Sequence, residues 1–187
     1  MTTTSQATTA RALPQPNTLA RNAALVVAAS LLVAIAAQVS FRVPFSPVPF
    51  TLQDLAVLLV GLTLGSRLGA AALALYLAEG ALGLPVFSPA AGPSGILHLL
   101  GPTGGYLLAY PLVAYLAGLR LSTLRHPLLR TLIPTTLAQS ALYIGGAAWL
   151  AFFIPHPLSV GVLPFLPFAA AKIVIASLVG MRLRKLA

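Results

Sequence analysis

Cysteine is absent from this chain of 187 residues, and side-chain charge is scarce. Without cysteine the chain has no disulfides and no thiolate metal sites. Asp, Glu, Lys and Arg together make up 7% of the residues, whereas a soluble domain contains about 25%. So few charges cannot cover a surface that faces water, and hydrophobic residues account for 58% of the chain. This composition predicts an integral membrane protein whose surface faces lipid.

Sequence motifs for catalysis and phosphate binding are also missing. The chain has no G-x-S-x-G nucleophile sequence and no G-x-x-x-x-G-K-[ST] phosphate loop. His98 and His156 have no Cys or carboxylate at ligand spacing, so they do not indicate a metal site. The net charge of +9 does not predict nucleic-acid binding, because the basic residues are scattered between apolar segments. We therefore expect no enzyme, no metal and no cofactor.

Six apolar helices are predicted, which gives an all-α integral membrane protein with six transmembrane helices. The Ser/Thr-rich residues 1–18 are expected to be a disordered cytosolic tail without a cleaved signal, and residues 19–187 to be a single membrane domain. The helices are expected at about residues 19–41, 51–66, 67–83, 104–121, 128–154 and 162–183.

The basic residues predict the orientation of these helices. With six spans, nine Lys and Arg residues fall at one set of helix ends, and only Arg42 falls at the other set. By the positive-inside rule, both termini are then expected to be cytosolic. The nine are Arg11, Arg21, Arg67, Arg120, Arg125, Arg130, Arg182, Arg184 and Lys185.

Two segments rich in proline or glycine are expected to lie on the outer side. Residues 84–106 are long for a loop and too apolar to stay solvated, so we expect a folded cap over the helix ends; a simple connector is the alternative. Residues 42–53 contain Pro44, Pro47 and Pro49, which force an extended path.

A charged side chain inside a membrane is costly and indicates a functional site. Lys172 lies near mid-membrane in the sixth helix, where we expect it to face an outward-open cavity and meet an anionic ligand. An internal pair with Glu79 or Asp54 is the alternative. Glu79 could accept hydrogen bonds from a ligand, or partner Arg42 or Lys172. Asp54 is interpreted as a structural charge at a helix start.

Uncharged polar residues and one small-residue face complete the candidates. Gln53 and Thr51 could point into the same pocket as Lys172. Gln139 and Tyr143, four residues apart, share one helix face, which indicates either ligand binding or an interhelix hydrogen bond. A smooth face on the first helix would admit a partner helix, or pack internally; it is formed by Ala20, Ala24 and Ala28.

Four stretches together resemble the BioY family, the biotin-specific substrate-binding subunits (S components) of energy-coupling-factor (ECF) transporters. They follow family order across about residues 20–185. The stretches are PVPFTLQ at 47–53, GLPVF at 83–87, LGPTGGY at 100–106, and Phe165-Leu166-Pro167 with Lys172.

The resemblance implies a six-helix protein that binds biotin near the outer face and has no ATPase of its own. Such a subunit docks onto a transmembrane coupling protein driven by two ATPases, and the face at Ala20, Ala24 and Ala28 matches the expected contact. The pocket would include Lys172, with Phe87 as an apolar wall and Tyr106 from the glycine-rich stretch.

This chain departs from the family in the sixth helix. The family often has Gly-Asp-x-x-Lys, whereas Ala169 occupies the acidic position here, and Glu79 is one candidate to supply the missing carboxylate. Biotin capture is the function that we expect. The alternatives are an S component for another small anionic vitamin or metabolite, an intramembrane lipid-acting enzyme using Glu79 and His98, and a purely structural membrane protein.

Overall fold

The structure, a computed structural model, describes residues 16–92 and 95–186. The predicted tail therefore lies largely outside the described residues, and the first helix begins within its last three positions. The elements are α1 (Pro16–Gln38), β1 (Ser40–Val43), β2 (Ser46–Thr51), α2 (Gln53–Ala81), α3 (Ile96–Leu100), α4 (Gly104–Ala117), α5 (Leu129–Leu150), α6 (Pro157–Gly161), a 3-10 turn (Leu163–Phe165) and α7 (Leu166–Leu186).

Helix α2 folds back on itself at Gly65. This glycine has φ +79° and ψ 174°, a left-handed conformation that breaks the helix. Gln53 Nε2 donates to Tyr76 Oη at 2.8 Å, although residues 23 positions apart in a straight helix would lie about 35 Å apart. The segment is therefore a hairpin of two helices, as the predicted boundary between residues 66 and 67 implies.

Within the described residues, three helical stretches are long and apolar enough to cross a membrane: Thr18–Gln38, Gln53–Ala81 and Pro157–Leu183. Helix α4 is apolar but shorter. Many large hydrophobic side chains are exposed along the helices, for example Ile35 at 68% and Ile144 at 70%. A mostly helical membrane protein is confirmed.

The all-α prediction omitted a β-hairpin. Strands β1 and β2 are antiparallel, with Phe41 opposite Phe50 and Val43 opposite Ser46. The extended path forced by the prolines is as predicted, but its pairing with residues 40–43 is not. Residues 40 and 41 were assigned to the first helix, which ends at Gln38. Proline is compatible with this two-stranded hairpin, because both strands are edges.

Small residues allow the folded α2 to approach α4 closely. A β-carbon added to Gly61 would collide with the carbonyl of Ala114 and the side chain of Ala117. One added to Gly118 would collide with the backbone at residues 65 and 66, the turn of the α2 hairpin. Close backbone contact of this kind is how helices associate in lipid, and it makes α2 and α4 the centre of the bundle.

The cap segment is folded, as expected, in its described residues 82–92 and 95–103. Side chains from outside it donate to its backbone carbonyls: Arg42 Nε to Ala90 at 2.9 Å, Tyr76 Oη to Val86 at 3.1 Å, and Trp149 Nε1 to Gly101 at 3.0 Å. Phe87 is buried and lies against Gly80, where a β-carbon would overlap its ring. The segment is thus fastened to β1, α2 and α5.

Candidate functional site

A cavity of about 70 Å³ lies between the cap segment, the β-hairpin and the helix ends beneath them. Strand β2, helices α2, α4, α5, α6 and α7, the 3-10 turn and the cap segment all contribute to its wall. Its polar and charged lining residues are Thr51, Gln53, Asp54, Ser88, His98, Thr103, Tyr106, Tyr110, Tyr143 and Lys172.

Lys172 is paired inside the protein. Its Nζ lies 2.5 Å from Asp54 Oδ1 and donates to the backbone carbonyl of Thr51 at 2.7 Å. The two charged side chains are 10% and 13% exposed. The pair joins the start of α2 to the first half of α7 across 118 residues of sequence. Each charge is therefore compensated before any ligand binds.

This pairing corrects the interpretation of Asp54 as a structural charge at a helix start. Asp54 is both the partner of Lys172 and part of the cavity wall. Both hypotheses for Lys172, an internal ion pair and a position at a cavity, hold together. Lys172 has an internal partner, and it also lines a cavity. Among the described residues the carboxylate beside Lys172 comes from Asp54, whereas Glu79, the candidate for this position, accepts a hydrogen bond from Ser30.

Phenylalanine rings surround the ammonium group on its apolar side. The Phe50 ring centroid lies 4.5 Å from Lys172 Nζ, a cation–π contact. Phe50 in turn packs against Phe41 at 4.8 Å and Phe168 at 4.5 Å between ring centroids. These rings restrict water around the ion pair, so its electrostatic interactions are stronger than at a surface.

Four predicted site residues do line the cavity beside Lys172. They are Thr51, Gln53, Tyr106 and Tyr143. Three of them already have partners: Gln53 bonds Tyr76, Tyr106 Oη donates to Gly161 O at 2.8 Å, and Tyr143 Oη donates to Phe165 O at 3.4 Å. The first bond joins the two arms of the α2 hairpin, and the other two join α4 to α6 and α5 to the 3-10 turn.

Three other candidates stand outside the cavity lining. Glu79 accepts a hydrogen bond from Ser30 of α1, so its predicted pairing with Arg42 or Lys172 is wrong. Phe87 packs edge-on against Tyr76 and beside His98, which makes it a support of the cap segment. Gln139 is 2% exposed, one turn below Tyr143, and neither atom of its amide finds a hydrogen-bond partner among the described residues.

The sequence reasoning missed several lining residues. Besides Asp54, these are Ser88, Thr103 and Tyr110, and His98 was considered only for metal binding or catalysis. Ser88, His98 and Thr103 lie on the cap segment, where no helical or strand period indicates which side chains turn inward. Tyr110 lies one turn after Tyr106 on α4, a spacing that could have indicated it.

The small-residue face of α1 is turned away from the bundle. Ala20, Ala24 and Ala28 are all exposed, whereas Ser30, Val33 and Ala37 on the other side of the helix are fully buried. Internal packing within the described chain therefore does not account for the alanine repeat.

The cavity offers one cation in a mostly apolar enclosure. An ammonium has three N–H donors, and Asp54 and Thr51 engage two of them. The third is available to an acidic group placed in the cavity. Hydroxyls and a histidine on the opposite wall suit a polar ring with both donors and acceptors. This arrangement suits a small amphipathic anion.

Comparison with known proteins agrees with this geometry. A family model described as the BioY family matches residues 3–187. The "Probable biotin transporter BioY" of Pyrococcus horikoshii is 37% identical over 167 residues, which cover 88% of this chain and 97% of that one. The "Biotin transporter BioY" of Thermotoga maritima is 40% identical over 147 residues, 77% of this chain and 85% of that one.

A solved structure has the same fold. The crystal structure of "the S-component for biotin from an ECF-type ABC transporter" superposes with a TM-score of 0.80. The match covers 92% of this chain and 95% of that one, at 26% sequence identity.

Proposed function

The chain belongs to the BioY family, and on that premise we propose that it is the biotin-binding S subunit of an ECF-type importer in the cytoplasmic membrane. It is a transport protein and not an enzyme. The observation that carries this function is the buried Lys172, paired by the protein and still open to a capped cavity. A purely structural protein has no use for a buried charge beside an empty space.

The chemistry of biotin fits this enclosure. Its carboxylate would take the remaining donor of Lys172, and its ring sulfur and aliphatic chain would lie against apolar walls such as Phe165 and Leu142, which line the cavity. Its ureido group needs amide and hydroxyl partners, which the cap segment, Gln53 and Tyr143 provide. An apolar lining with a few placed polar groups is the usual plan of a ligand site.

We assign the site residues on this basis. Lys172, Thr51, Gln53, Tyr106 and Tyr143 form the ligand pocket. Gln139 lies below it as a buried amide that makes no hydrogen bond of normal geometry in the described chain, although the Tyr143 hydroxyl is close enough to interact with it, and a buried amide left without a full hydrogen bond costs up to about 1–3 kcal/mol. That cost favours Gln139 as a further contact to the ligand. Phe87 shapes the pocket through the cap segment, and Glu79 fastens α1 to α2.

Six spans with both termini in the cytosol fit the fold best. The hairpin at Gly65 turns α2 into two crossings, and α4 and α5 add two to α1 and α7. Arg67 follows that turn directly, and Arg120 and Arg130 flank the connection between α4 and α5. All three then lie on one side, opposite the β-hairpin and the cap segment, in agreement with the positive-inside rule.

The partners follow from the same assignment. An S subunit captures its ligand but has no ATPase, so uptake requires a transmembrane coupling protein and two ATPase subunits. The exposed face of Ala20, Ala24 and Ala28 is the proposed contact with the coupling protein, because small side chains let a partner helix approach closely.

Equilibrium binding to the purified protein tests the ligand. Biotin should saturate one site per chain at submicromolar concentration. In this chain the carboxylate beside Lys172 comes from Asp54, and Ala169 occupies the position that is often acidic in the family. This difference favours a second candidate, an S subunit for another small anionic metabolite. Failure of micromolar biotin to bind, with a different carboxylate vitamin saturating the site, would establish that candidate instead.

A further inference from the structure

The short helix α3 in the cap segment presents an apolar surface away from the protein. Ile96, Leu97 and Leu100 are each more than half exposed, whereas His98 and Leu99 are buried. Exposed and buried side chains therefore lie on different sides of this single helical turn. The cap segment around it contains no Asp, Glu, Lys or Arg between residues 82 and 103. A surface of this composition is unfavourable in water.

Helix α3 lies across the ends of two longer helices. A β-carbon on Gly95, directly before α3, would come within 3.9 Å of the Gly83 Cα, just beyond the end of α2. After the other end of α3, the Gly101 carbonyl accepts a hydrogen bond from Trp149 Nε1 of α5 at 3.0 Å. Helix α2 belongs to the stretches that are long and apolar enough to cross a membrane. The surface of α3 is therefore at the level where membrane helices end.

Apolar surface continues on both sides of α3. Leu82, which follows α2, is 85% exposed, and so is Phe152, which follows α5. The Phe152 ring packs edge-on against Trp149, with the ring centroids 6.4 Å apart. Tryptophan is enriched at the boundary between hydrocarbon and water. The exposed face of α3 thus joins the lipid-facing surface of the bundle, and large exposed apolar patches mark interaction sites.

The other side of α3 faces the ligand pocket. His98 lines the capped cavity, and its ring centroid lies 4.9 Å from that of Phe87. Thr103, three residues after the end of α3, also lines the cavity. One helical turn therefore separates the exposed apolar surface from the wall of the pocket. Any movement of α3 displaces that wall.

We propose that α3 is a lipid-anchored lid helix. Ile96, Leu97 and Leu100 lie among the acyl chains of the leaflet at the capped end, as the apolar face of an interfacial helix does, and they hold His98 against the pocket. Opening of the cap requires these side chains to move through or out of lipid, which slows release of a bound ligand. The lipid contact is independent of the ligand, whereas the slow release rests on the proposed function.

Single-cysteine variants test the lipid contact, because the chain has no cysteine of its own. A nitroxide label is attached to Leu97→Cys or Leu100→Cys in the full-length chain, which is reconstituted into vesicles of phosphatidylcholine and phosphatidylglycerol. Collisions of the label with oxygen, which concentrates in lipid, are compared with collisions with a nickel chelate, which stays in water. We expect an oxygen-to-chelate ratio close to that of Leu137→Cys, at an exposed position within α5.

Pro89→Cys is the matched control for water exposure. Pro89 is exposed on the same cap segment, next to Ala90, whose carbonyl accepts a hydrogen bond from the exposed Arg42. The ratio at Leu97→Cys and Leu100→Cys should exceed that of the control by about fivefold or more.

Two results would overturn the lipid contact. Chelate collisions as frequent at residues 97 and 100 as at residue 89 would place α3 in water. Spectral broadening that disappears when labelled chain is diluted with unlabelled chain would show that a second copy covers the face. If either variant does not fold, Ile96→Cys on the same face replaces it, and the same result is required.

The rate of biotin dissociation from the reconstituted protein tests the lid. Leu97→Gln/Leu100→Gln weakens the lipid contact and should accelerate dissociation about tenfold. The matched control Ile35→Gln/Ile144→Gln changes two exposed residues of α1 and α5 that do not line the cavity, and it should stay within about twofold of the wild type. Equal acceleration in both double variants, or none in either, would overturn the lid.

Two provisions keep this second measurement decisive. If Leu97→Gln/Leu100→Gln does not bind biotin, Leu97→Gln alone should accelerate release about threefold, and an unchanged rate would overturn the lid. If the wild type binds another carboxylate vitamin and not biotin, that vitamin is used in the same comparison. The proposed ligand is then refuted, while the collision measurements decide the lipid contact as before.

Discussion

The two cavities at opposite ends of the bundle differ in how their cations are balanced. At the capped cavity, Lys172 is held by Asp54, by the Thr51 carbonyl and by the ring of Phe50. A second cavity, lined by the segment that follows α4 and the end of α7, has Arg120 and Arg130 in its wall and no Asp or Glu among its described lining residues. Both carboxylates of the chain lie near the ends of the folded α2, which the Gly65 turn brings to the same side. The end of the bundle that holds the capped cavity, the capture end, is therefore neutral in side-chain charge. The opposite end is positive.

The difference indicates how the capture end selects its ligand. An anion that enters the first cavity finds a cation already neutralised, so it must share Lys172 with Asp54. Adding a second negative charge beside a buried pair is unfavourable at low dielectric. Only a ligand that also fills the apolar wall and satisfies the polar groups of the cap gains enough to bind. Free small anions are thereby rejected.

Asp54→Asn breaks the neutrality of the capture end and should have the largest effect on stability. Removing one partner of a buried ion pair costs about 3 kcal/mol or more, because Lys172 is left without a counter-charge. Thermal unfolding of the ligand-free variant in detergent should show this loss. Biotin should then raise the melting temperature of the variant more than that of the wild type, since its carboxylate replaces Asp54.

A relocated carboxylate provides the control for that experiment. Ala169 is buried, one helical turn before Lys172 on α7. Asp54→Thr combined with Ala169→Asp should recover most of the stability that Asp54→Thr alone loses. No recovery would mean that Asp54 serves α2 itself and not the charge of Lys172.

Ala28→Leu tests whether the face of α1 is distinct from both cavities. A leucine on this exposed face should hold a partner helix away and weaken binding of the coupling protein at least tenfold, about 1.4 kcal/mol. Biotin affinity should be unchanged. Ala148→Leu, on the exposed side of α5, is the matched control. Equal assembly of the two variants, measured by co-purification, would remove the proposed contact.

Gln139→Leu probes the depth of the capture pocket and should have the smallest effect. Removal of a buried amide without a full hydrogen bond should stabilise the ligand-free protein by about 1 kcal/mol. The same change should weaken biotin binding by roughly threefold to tenfold, because one hydrogen bond to the ligand is lost. Greater stability with unchanged affinity would show that Gln139 does not contact the ligand.

The helices and the importance of Lys172 could be predicted from sequence because both depend on local signals. Long apolar runs predict the helices. A lysine in the middle of such a run stands out in the sequence whatever the fold. The sequence offered Asp54 and Glu79 as possible partners of Lys172 but could not choose between them, since Asp54 lies 118 residues away and also suits a helix start. Two further features depend on tertiary contacts, which sequence periodicity does not indicate. They are the pairing of β1 with β2 and the orientation of cap-segment side chains such as His98 and Thr103 towards the cavity.

The most direct test of the account compares biotin with its uncharged carboxamide on the wild type, Lys172→Ala and Arg42→Ala. Calorimetric titration should show that the wild type and Arg42→Ala prefer biotin over the carboxamide by at least tenfold. In Lys172→Ala this preference should disappear, with carboxamide affinity changed much less than biotin affinity. A preference for biotin that persists in Lys172→Ala would contradict the claim that this ammonium group recognises the acid of the ligand.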